Sequence, residues 1–271
     1  MKIIGLMLTW NNLEFFKCSL PQALDFCDEL ILVEGCHSRQ YPQRSDDGTV
    51  AFIQSIKTRP KLRIMDFGFG GRYDAVQRRI RSEFPKASKF YKSGNWIMHW
   101  DDDMFFMEED LPKLKTAMKT TDCDSLSYFA RDFIYNFRFN SIEKGGVDTY
   151  RIIDGMQLSG VSNAHYKNGS YRRFTVQCIN EITLFHYSYV KKPERMNARF
   201  VMSIEKGTRE SVGKHNLWMS VKWEKDEDII KSTATMESIR PDEEFGIYYG
   251  EHPQAVADHP WRYIKDVRSV K

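Results

Sequence analysis

Three consecutive aspartates, Asp101, Asp102 and Asp103, directly follow an apolar run at residues 96–100 that predicts a buried strand. Charge beside a core is costly unless it is paired, and a divalent cation is the usual partner of clustered carboxylates. Asp101 and Asp103 project to the same side of an extended segment, so both can approach one ion. The spacing predicts a Mg²⁺ or Mn²⁺ site that binds a phosphorylated ligand, and a solvated acidic loop is the structural alternative.

The elements that position this triplet alternate between strand and helix along the first hundred residues. Alternation with short links predicts a parallel sheet with helices on both faces, and ligands bind beyond the carboxyl ends of such strands. Three loops fall at that edge: residues 9–12, residues 34–35 and the aspartate triplet. The predicted strands cover residues 3–8, 30–33, 62–67 and 96–100, and the predicted helices cover 13–27, a stretch after Gly48 and 73–84.

The second half of the chain has a weaker pattern. Near-alternation of aromatic and polar residues predicts strands within 125–139 and 179–190, and the charged stretch 191–231 is predicted to be partly helical. Without a repeat or a linker, the chain is expected to be one domain over 1–271. It divides into a ligand-binding half at 1–106, a second half at 107–240 and an irregular wrapping tail at 241–271.

Composition excludes several classes of protein. Hydrophobic residues make up 41% of the chain and the net charge is +3, so a globular core is expected and nucleic acid is not the main partner. Five scattered cysteines predict reduced thiols and a cytoplasmic setting. The short apolar start is expected to be a strand rather than a transmembrane segment, and a peripheral membrane contact stays open.

Over residues 1–106 the chain resembles the nucleotide-sugar glycosyltransferases of the GT-A fold, especially family 2. The resemblance rests on five segments in order, and two departures accompany it. The family's small residue inside D-x-D is Asp102 here, and residues 35–46 separate Glu34 from the D-G-T sequence. The five segments are Thr9-Trp10-Asn11-Asn12, Val33-Glu34-Gly35, Asp47-Gly48-Thr49, the helix start Tyr73-Asp74-Ala75-Val76-Gln77-Arg78, and Trp96 through Asp103.

The resemblance implies an α/β GT-A (Rossmann-like) fold, with a mostly parallel central sheet flanked by helices and an acceptor-side second half. It also implies that the opening loop and the acid after the second strand bind the donor's base and ribose, which assigns Thr9, Trp10, Asn11 and Glu34. Core packing is the alternative for Trp10. Arg78 would pair with a phosphate, with surface charge as its alternative, and Asp101 and Asp102 would also lie at the donor.

Two further assignments follow from the resemblance. His186, after an apolar strand, would be the third metal ligand beside Asp101 and Asp103, and a buried structural histidine is the alternative. An inverting enzyme needs a base for the acceptor hydroxyl, for which the candidates are Glu181 and Asp154. The basic segment 191–195 would close over the diphosphate as a lid, with a solvated charged face as the alternative.

The resulting expectation is an inverting, metal-dependent hexosyltransferase in polysaccharide biosynthesis, with Mn²⁺ or Mg²⁺ as cofactor. Its donor would be of the UDP or GDP type, and its acceptor a glycan or a lipid-linked glycan. One alternative is another Mg²⁺-dependent nucleotide enzyme, a nucleotidyltransferase or phosphohydrolase, although no G-x-x-x-x-G-K sequence is present. The other is a non-catalytic carbohydrate-binding module on a GT-A-like fold, which the intact Asp-x-Asp disfavours.

Overall fold

The fold is given by a computed structural model. It describes residues 1–36, 44–66, 79–154, 156–158, 164–167, 170–205 and 244–265, together with positions 41, 227 and 267. Side chains are described outside 143–148, 156–173 and 203–205.

Four parallel strands form the first half of the central sheet, in the order β3-β2-β1-β4. Because all four run the same way, their carboxyl ends meet at one edge, where Thr9 lies beside Glu34. The predicted strands and their parallel arrangement are confirmed. Their bounds are β1 Ile3–Thr9, β2 Glu29–Glu34, β3 Leu62–Met65 and β4 Trp96–His99.

The second half of the sheet is mixed and continues in the order β7-β6-β11-β5. Strand β7 is antiparallel to both β4 and β6, β11 is parallel to β6, and β5 is antiparallel to β11. The tail contributes β12, which pairs with β7, whereas the sequence predicted an irregular tail. These strands are β5 Met104–Phe106, β6 Ser125–Ile134, β7 Phe139–Arg151, β11 Val176–Tyr189 and β12 Glu244–Ile247.

A separate three-stranded sheet has the order β10-β9-β8, with antiparallel pairing throughout. Its strands are short: β8 Met156–Leu158, β9 Ala164–Lys167 and β10 Ser170–Arg173. With the flanking helices, these sheets confirm the expected α/β fold class, with a central sheet that is parallel over β1–β4 and mixed beyond.

The helices are α1 Leu13–Phe26, α2 Thr49–Ile56, α3 Asp110–Thr120 and α4 Pro193–Glu205, with 3-10 turns at Phe84–Ala87 and Gln254–Val256. Residues 79–83 of the predicted 73–84 helix are helical, and the rest of that prediction before residue 79 lies outside the described residues. The five cysteines are free thiols, as expected. Across the described ranges, no helix is both long and apolar enough to span a membrane.

The core has a hydrophobic cluster on each face of the sheet, and strands β1 and β2 are therefore buried on both sides. Ile4 and Leu6 face one cluster, whereas Ile3 and Met7 face the cluster that contains α1. Gly5 lies on the α1 side, where an added Cβ would be 2.7 Å from the Cys27 Sγ atom.

A third, aromatic cluster joins the beginning of the described chain to its end. Phe15 of α1 packs on the rings of Tyr187, His259 and Trp261, at centroid distances of 5.3, 4.0 and 5.9 Å. The tail therefore packs directly against the helix that follows the first edge loop.

Candidate functional site

Asp102 joins two of the edge loops. Its carboxylate is buried and accepts hydrogen bonds from the Thr9 hydroxyl at 2.6 Å and from the Asn12 side-chain amide at 2.7 Å. Burial and then the neighbouring charge of Asp103 raise the pKa of Asp102 to about 7. Through these two hydrogen bonds, the additional aspartate of the triplet connects the loop after β4 to the loop after β1.

Asp103 is a buried carboxylate with two cationic neighbours. Its Oδ2 atom lies 2.6 Å from the Lys191 ammonium, and its Oδ1 atom lies 3.3 Å from the His186 Nε2 atom. Burial opposes ionisation of Asp103, but the charges of Lys191 and His186 outweigh burial and hold its pKa well below the usual range. Asp103 is therefore an anion at neutral pH.

His186 reaches Asp103 because of strand register. On β11 it lies opposite Met104 of β5, one residue after Asp103, and also beside Asp132 of β6. The Asp132 Oδ1 atom is 2.6 Å from the His186 Nδ1 atom, which leaves Nε2 directed at Asp103. Burial disfavours the charged imidazole, but Asp132 and Asp103 outweigh burial and raise the pKa of His186 well above its ordinary value.

Asp101 has different surroundings from Asp103. Its Oδ2 atom accepts a hydrogen bond from the Arg81 guanidinium at 3.2 Å, and its Oδ1 atom is buried with no hydrogen-bond partner among the described residues. Arg78, the predicted phosphate partner, lies outside the described residues. Arg81 is three residues further along, so the basic run near the predicted position does contribute an arginine to the triplet.

The residues at Asp103 fit a divalent cation. Two ligands at right angles, each about 2.1 Å from a metal, are about 3 Å apart, close to the separation of the Asp103 Oδ1 and His186 Nε2 atoms. Metal-binding histidines usually direct their other ring nitrogen at a carboxylate, as His186 does at Asp132. No group of three or more His, Cys, Asp or Glu side chains suited to a metal occurs in the described part of the chain, so the predicted set of Asp101, Asp103 and His186 is not assembled as three ligands. Asp103 and His186 approach each other, whereas Asp101 pairs with Arg81. Mg²⁺ and Mn²⁺ sites on phosphate ligands need only one or two protein ligands.

Glu34 lies at the predicted edge of the sheet, and both of its carboxylate oxygens accept hydrogen bonds. The Arg44 guanidinium contacts one oxygen at 3.0 Å, and the Ser45 backbone N–H donates to the other at 2.7 Å. Arg44 also bridges to Asp66. Glu34 therefore orders Arg44 and Ser45, which lie within the 35–46 stretch before Asp47, and its predicted contact with a donor stays a prediction.

Trp10 is buried, as its core-packing alternative expects, and α4 covers it. The Arg195 guanidinium lies 4.5 Å from the centre of the Trp10 ring, and its Nε atom donates to the Trp10 carbonyl at 3.0 Å. Asn11 adopts a positive φ of 47° and accepts a hydrogen bond from the Asp46 N–H at 2.9 Å. The opening loop is thus held by α4 on one side and by residues 45–46 on the other.

The structure does not bring the two predicted bases to Asp103. Glu181 is exposed on β11, five residues before His186, where the pairing of β11 with β6 shifts register between Ile179 and Thr183. Asp154 follows β7, whose Arg151 pairs with Trp96 at the amino end of β4, the end opposite the triplet. A base must lie within hydrogen-bond reach of the hydroxyl that attacks the anomeric carbon, so this arrangement supports neither role, and both stay predictions.

Asp132 was not predicted from the sequence, and Lys191 was predicted only as part of the basic segment 191–195 that would close over the diphosphate as a lid. Lys191 is buried, with 3% of its side chain exposed, so the solvated-face alternative is wrong for this residue. Asp132 had one local signal, a lone carboxylate inside the aromatic strand at 125–139. Its pairing with His186 depends on the β6–β11 register, which the sequence does not contain.

Comparisons with known proteins give only weak likenesses. No protein-family model and no curated protein matches this chain. Among solved structures, S. aureus TarS 1-349 is 12% identical with a TM-score of 0.43, covering 89% of this chain and 81% of that one. The same protein in complex with UDP-GlcNAc is 11% identical with a TM-score of 0.41, covering 88% and 81%. A 4-diphosphocytidyl-2C-methyl-D-erythritol synthase is 14% identical with a TM-score of 0.32, covering 79% and 84%. The function is therefore argued from the site.

Proposed function

We propose that this chain is a glycosyltransferase that transfers a hexose from a nucleoside-diphosphate sugar to a hydroxyl acceptor. The observation that carries the proposal is the Asp103–His186–Asp132 array, in which Asp103 is buried beside Lys191, at the carboxyl edge of a parallel sheet. Ligands of open α/β sheets bind at this edge. A UDP or GDP donor, a glycan or lipid-linked glycan acceptor, and a cytoplasmic role in polysaccharide biosynthesis belong to the same proposal.

In this proposal Asp103 and His186 hold a Mn²⁺ or Mg²⁺ ion, and Asp132 orients the His186 ring. A bound cation at this position would stabilise the negative charge that develops on the departing diphosphate. Asp101 and Arg81 lie beside the site, where the remaining N–H groups of the arginine can donate to a phosphate. Asp102 takes no direct part in the chemistry and positions Thr9 and Asn12 of the opening loop.

The reaction breaks the bond between the anomeric carbon and the diphosphate oxygen, and forms a bond from that carbon to the acceptor oxygen. In an inverting mechanism the acceptor proton passes to a base, and the two candidates from the sequence, Glu181 and Asp154, both lie away from Asp103 in this structure. The products are a glycoside and a nucleoside diphosphate. A nucleotidyltransferase acting on a nucleoside triphosphate would release pyrophosphate instead, so the released product separates the two classes.

A thermal-shift panel tests the proposal. Wild-type protein is heated with UDP, GDP, CDP, dTDP or ADP, each with and without Mn²⁺, because a ligand of the native state raises the midpoint temperature. We expect one or two diphosphates to raise the midpoint only when Mn²⁺ is present. The Asp103→Asn variant should lose this shift, whereas Asp122→Asn, at an exposed aspartate after α3, should keep it.

Product analysis with the corresponding nucleotide sugars completes the test. Release of a nucleoside diphosphate that requires Asp103 supports a transferase. Absence of any metal-dependent shift across the panel, or release of pyrophosphate from a nucleoside triphosphate, would contradict the proposal.

A further inference from the structure

The proposed function gives no role to Lys191, although its buried ammonium contacts Asp103. The turn after β11 fixes this residue, since the Tyr187 N–H donates to the Asp103 carbonyl at 3.0 Å and the Val190 N–H donates to the Tyr187 carbonyl at 3.1 Å. The Lys191 ammonium lies 5.2 Å from the centre of the Phe15 ring and 2.6 Å from the Asp103 Oδ2 atom. Both the backbone and the apolar wall therefore direct the ammonium at Asp103.

Each carboxylate at the edge already has a partner in this arrangement. Asp101 contacts Arg81, Asp103 contacts Lys191, and Asp132 contacts His186. A divalent ion arriving alone would bring two positive charges to Asp103 beside a buried ammonium. In a site with little water, repulsion between like charges is strong, so this arrangement disfavours the metal by itself.

A diphosphate changes this balance. Its negative charges offset those of the metal, and its oxygens give the Lys191 ammonium an alternative acceptor when the metal engages Asp103. We propose that Lys191 withholds Asp103 from free divalent cations, so that the metal binds productively only together with the diphosphate of the donor. This inference rests on the proposed function, because it requires that the metal site is at Asp103.

Such a lysine would have two consequences for the resting protein. Asp103 stays paired when no donor is present, which avoids an uncompensated buried charge. Metal and diphosphate then bind with positive coupling, and by reciprocity each raises the affinity for the other by the same factor.

The test measures metal binding directly rather than activity. Loss of the free Mn²⁺ signal in electron paramagnetic resonance gives the Mn²⁺ affinity of the protein, alone and with saturating UDP or GDP. We expect Lys191→Met to bind Mn²⁺ alone about tenfold or more tightly than wild type, and to show a smaller gain on adding the nucleotide. Lys113→Met is the matched control, because Lys113 forms a similar pair with Asp110 at 2.7 Å on the surface of α3 and should leave Mn²⁺ binding unchanged.

Three outcomes decide the matter. Tighter Mn²⁺ binding in Lys191→Met that disappears in Lys191→Met/Asp103→Asn supports the inference. Unchanged Mn²⁺ affinity in a folded Lys191→Met protein overturns it, while the thermal-shift panel on wild type independently judges the proposed function. If Lys191→Met does not fold, the wild-type protein decides. Mn²⁺ affinity that is equal with and without UDP or GDP, although the nucleotide binds, also overturns it.

Discussion

Replacing Asp102 tests whether the hydrogen bonds of this carboxylate stabilise the contact between two loops. The Asp102→Ala variant leaves the Thr9 hydroxyl and the Asn12 amide buried without the acceptor that they contact at 2.6 and 2.7 Å. Each buried donor left unsatisfied costs about 1–3 kcal/mol, so with two donors the free energy of unfolding should fall by about 2–6 kcal/mol. With a urea slope of about 2–3 kcal/mol/M for a chain of this size, the midpoint should fall by about 1–3 M.

The Asp102→Asn variant should behave differently. The new amide oxygen can accept from Asn12, and the new NH₂ group can donate to the Thr9 hydroxyl, which serves as donor or acceptor. The substitution also removes a buried charge next to Asp103, whose proximity raises the pKa of Asp102. We therefore expect a change of less than about 1 kcal/mol in the free energy of unfolding.

Urea unfolding followed by circular dichroism measures both variants, with Asp122→Ala at an exposed position as the control. In the Asp102→Ala background, a further Thr9→Val change should cost little, because the hydrogen bond is already absent. The reasoning is refuted if Asp102→Ala loses less than about 1 kcal/mol, or if Asp102→Asn is as destabilising as Asp102→Ala.

Three further predictions concern the fold around the site. Burial, with a smaller effect of the Lys191 charge, lowers the pKa of His259 to about 3. Since the pKa in the unfolded chain is near 6.5, the neutral histidine's contribution to stability is complete above that pH and is lost as the pH falls towards 3. In urea unfolding, His259 should contribute about 2 kcal/mol to the loss of stability between pH 7 and pH 5, and His259→Gln should remove that share while the shares of His99 and His252, whose pKa values are also lowered, remain. Gly5→Ala should lower the free energy of unfolding by about 1–3 kcal/mol, since its Cβ would meet the Cys27 Sγ atom at 2.7 Å. Asp47→Ala should lower it by about 1–2 kcal/mol, because the carboxylate accepts from the Leu13 N–H at 2.9 Å and the Thr49 N–H at 3.0 Å, at the starts of α1 and α2.

A different result would contradict each of these three predictions. An unchanged pH profile in His259→Gln would remove this histidine as the cause of acid sensitivity. A Gly5→Ala protein as stable as wild type would mean that Cys27 and its neighbours move aside without strain. Asp47→Asn retains one acceptor oxygen, so it should fall between wild type and Asp47→Ala, and equal stability of the two variants would contradict a role in capping both helices.

The sequence predicted the parallel half of the sheet well because continuous apolar runs with short helical links leave few arrangements. It also placed the aspartate triplet at the correct edge, since residues that follow a parallel strand lie at its carboxyl end. His186 was expected near the triplet, and the structure places it 3.3 Å from Asp103.

The remaining site residues depend on long-range register that no local pattern contains. Asp132 meets His186 only because β6 and β11 are adjacent and parallel. Glu181 was favoured by its separation along the chain, yet it lies in an irregular part of β11, exposed and five residues before His186. Lys191 looked like part of a charged surface because a single lysine has the same sequence signal whether its ammonium meets water or a buried carboxylate.

The packing of Phe15 against the tail has a consequence for the order in which the protein is made. Helix α1 is synthesised early, but the rings that cover Phe15, His259 and Trp261 among them, leave the ribosome only near the end of the described chain. Contacts between such distant segments form slowly, so the aromatic face of α1 stays uncovered during most of translation. We expect the parallel strands to form in the nascent chain before the site does. During that interval we expect the chain to depend on chaperones.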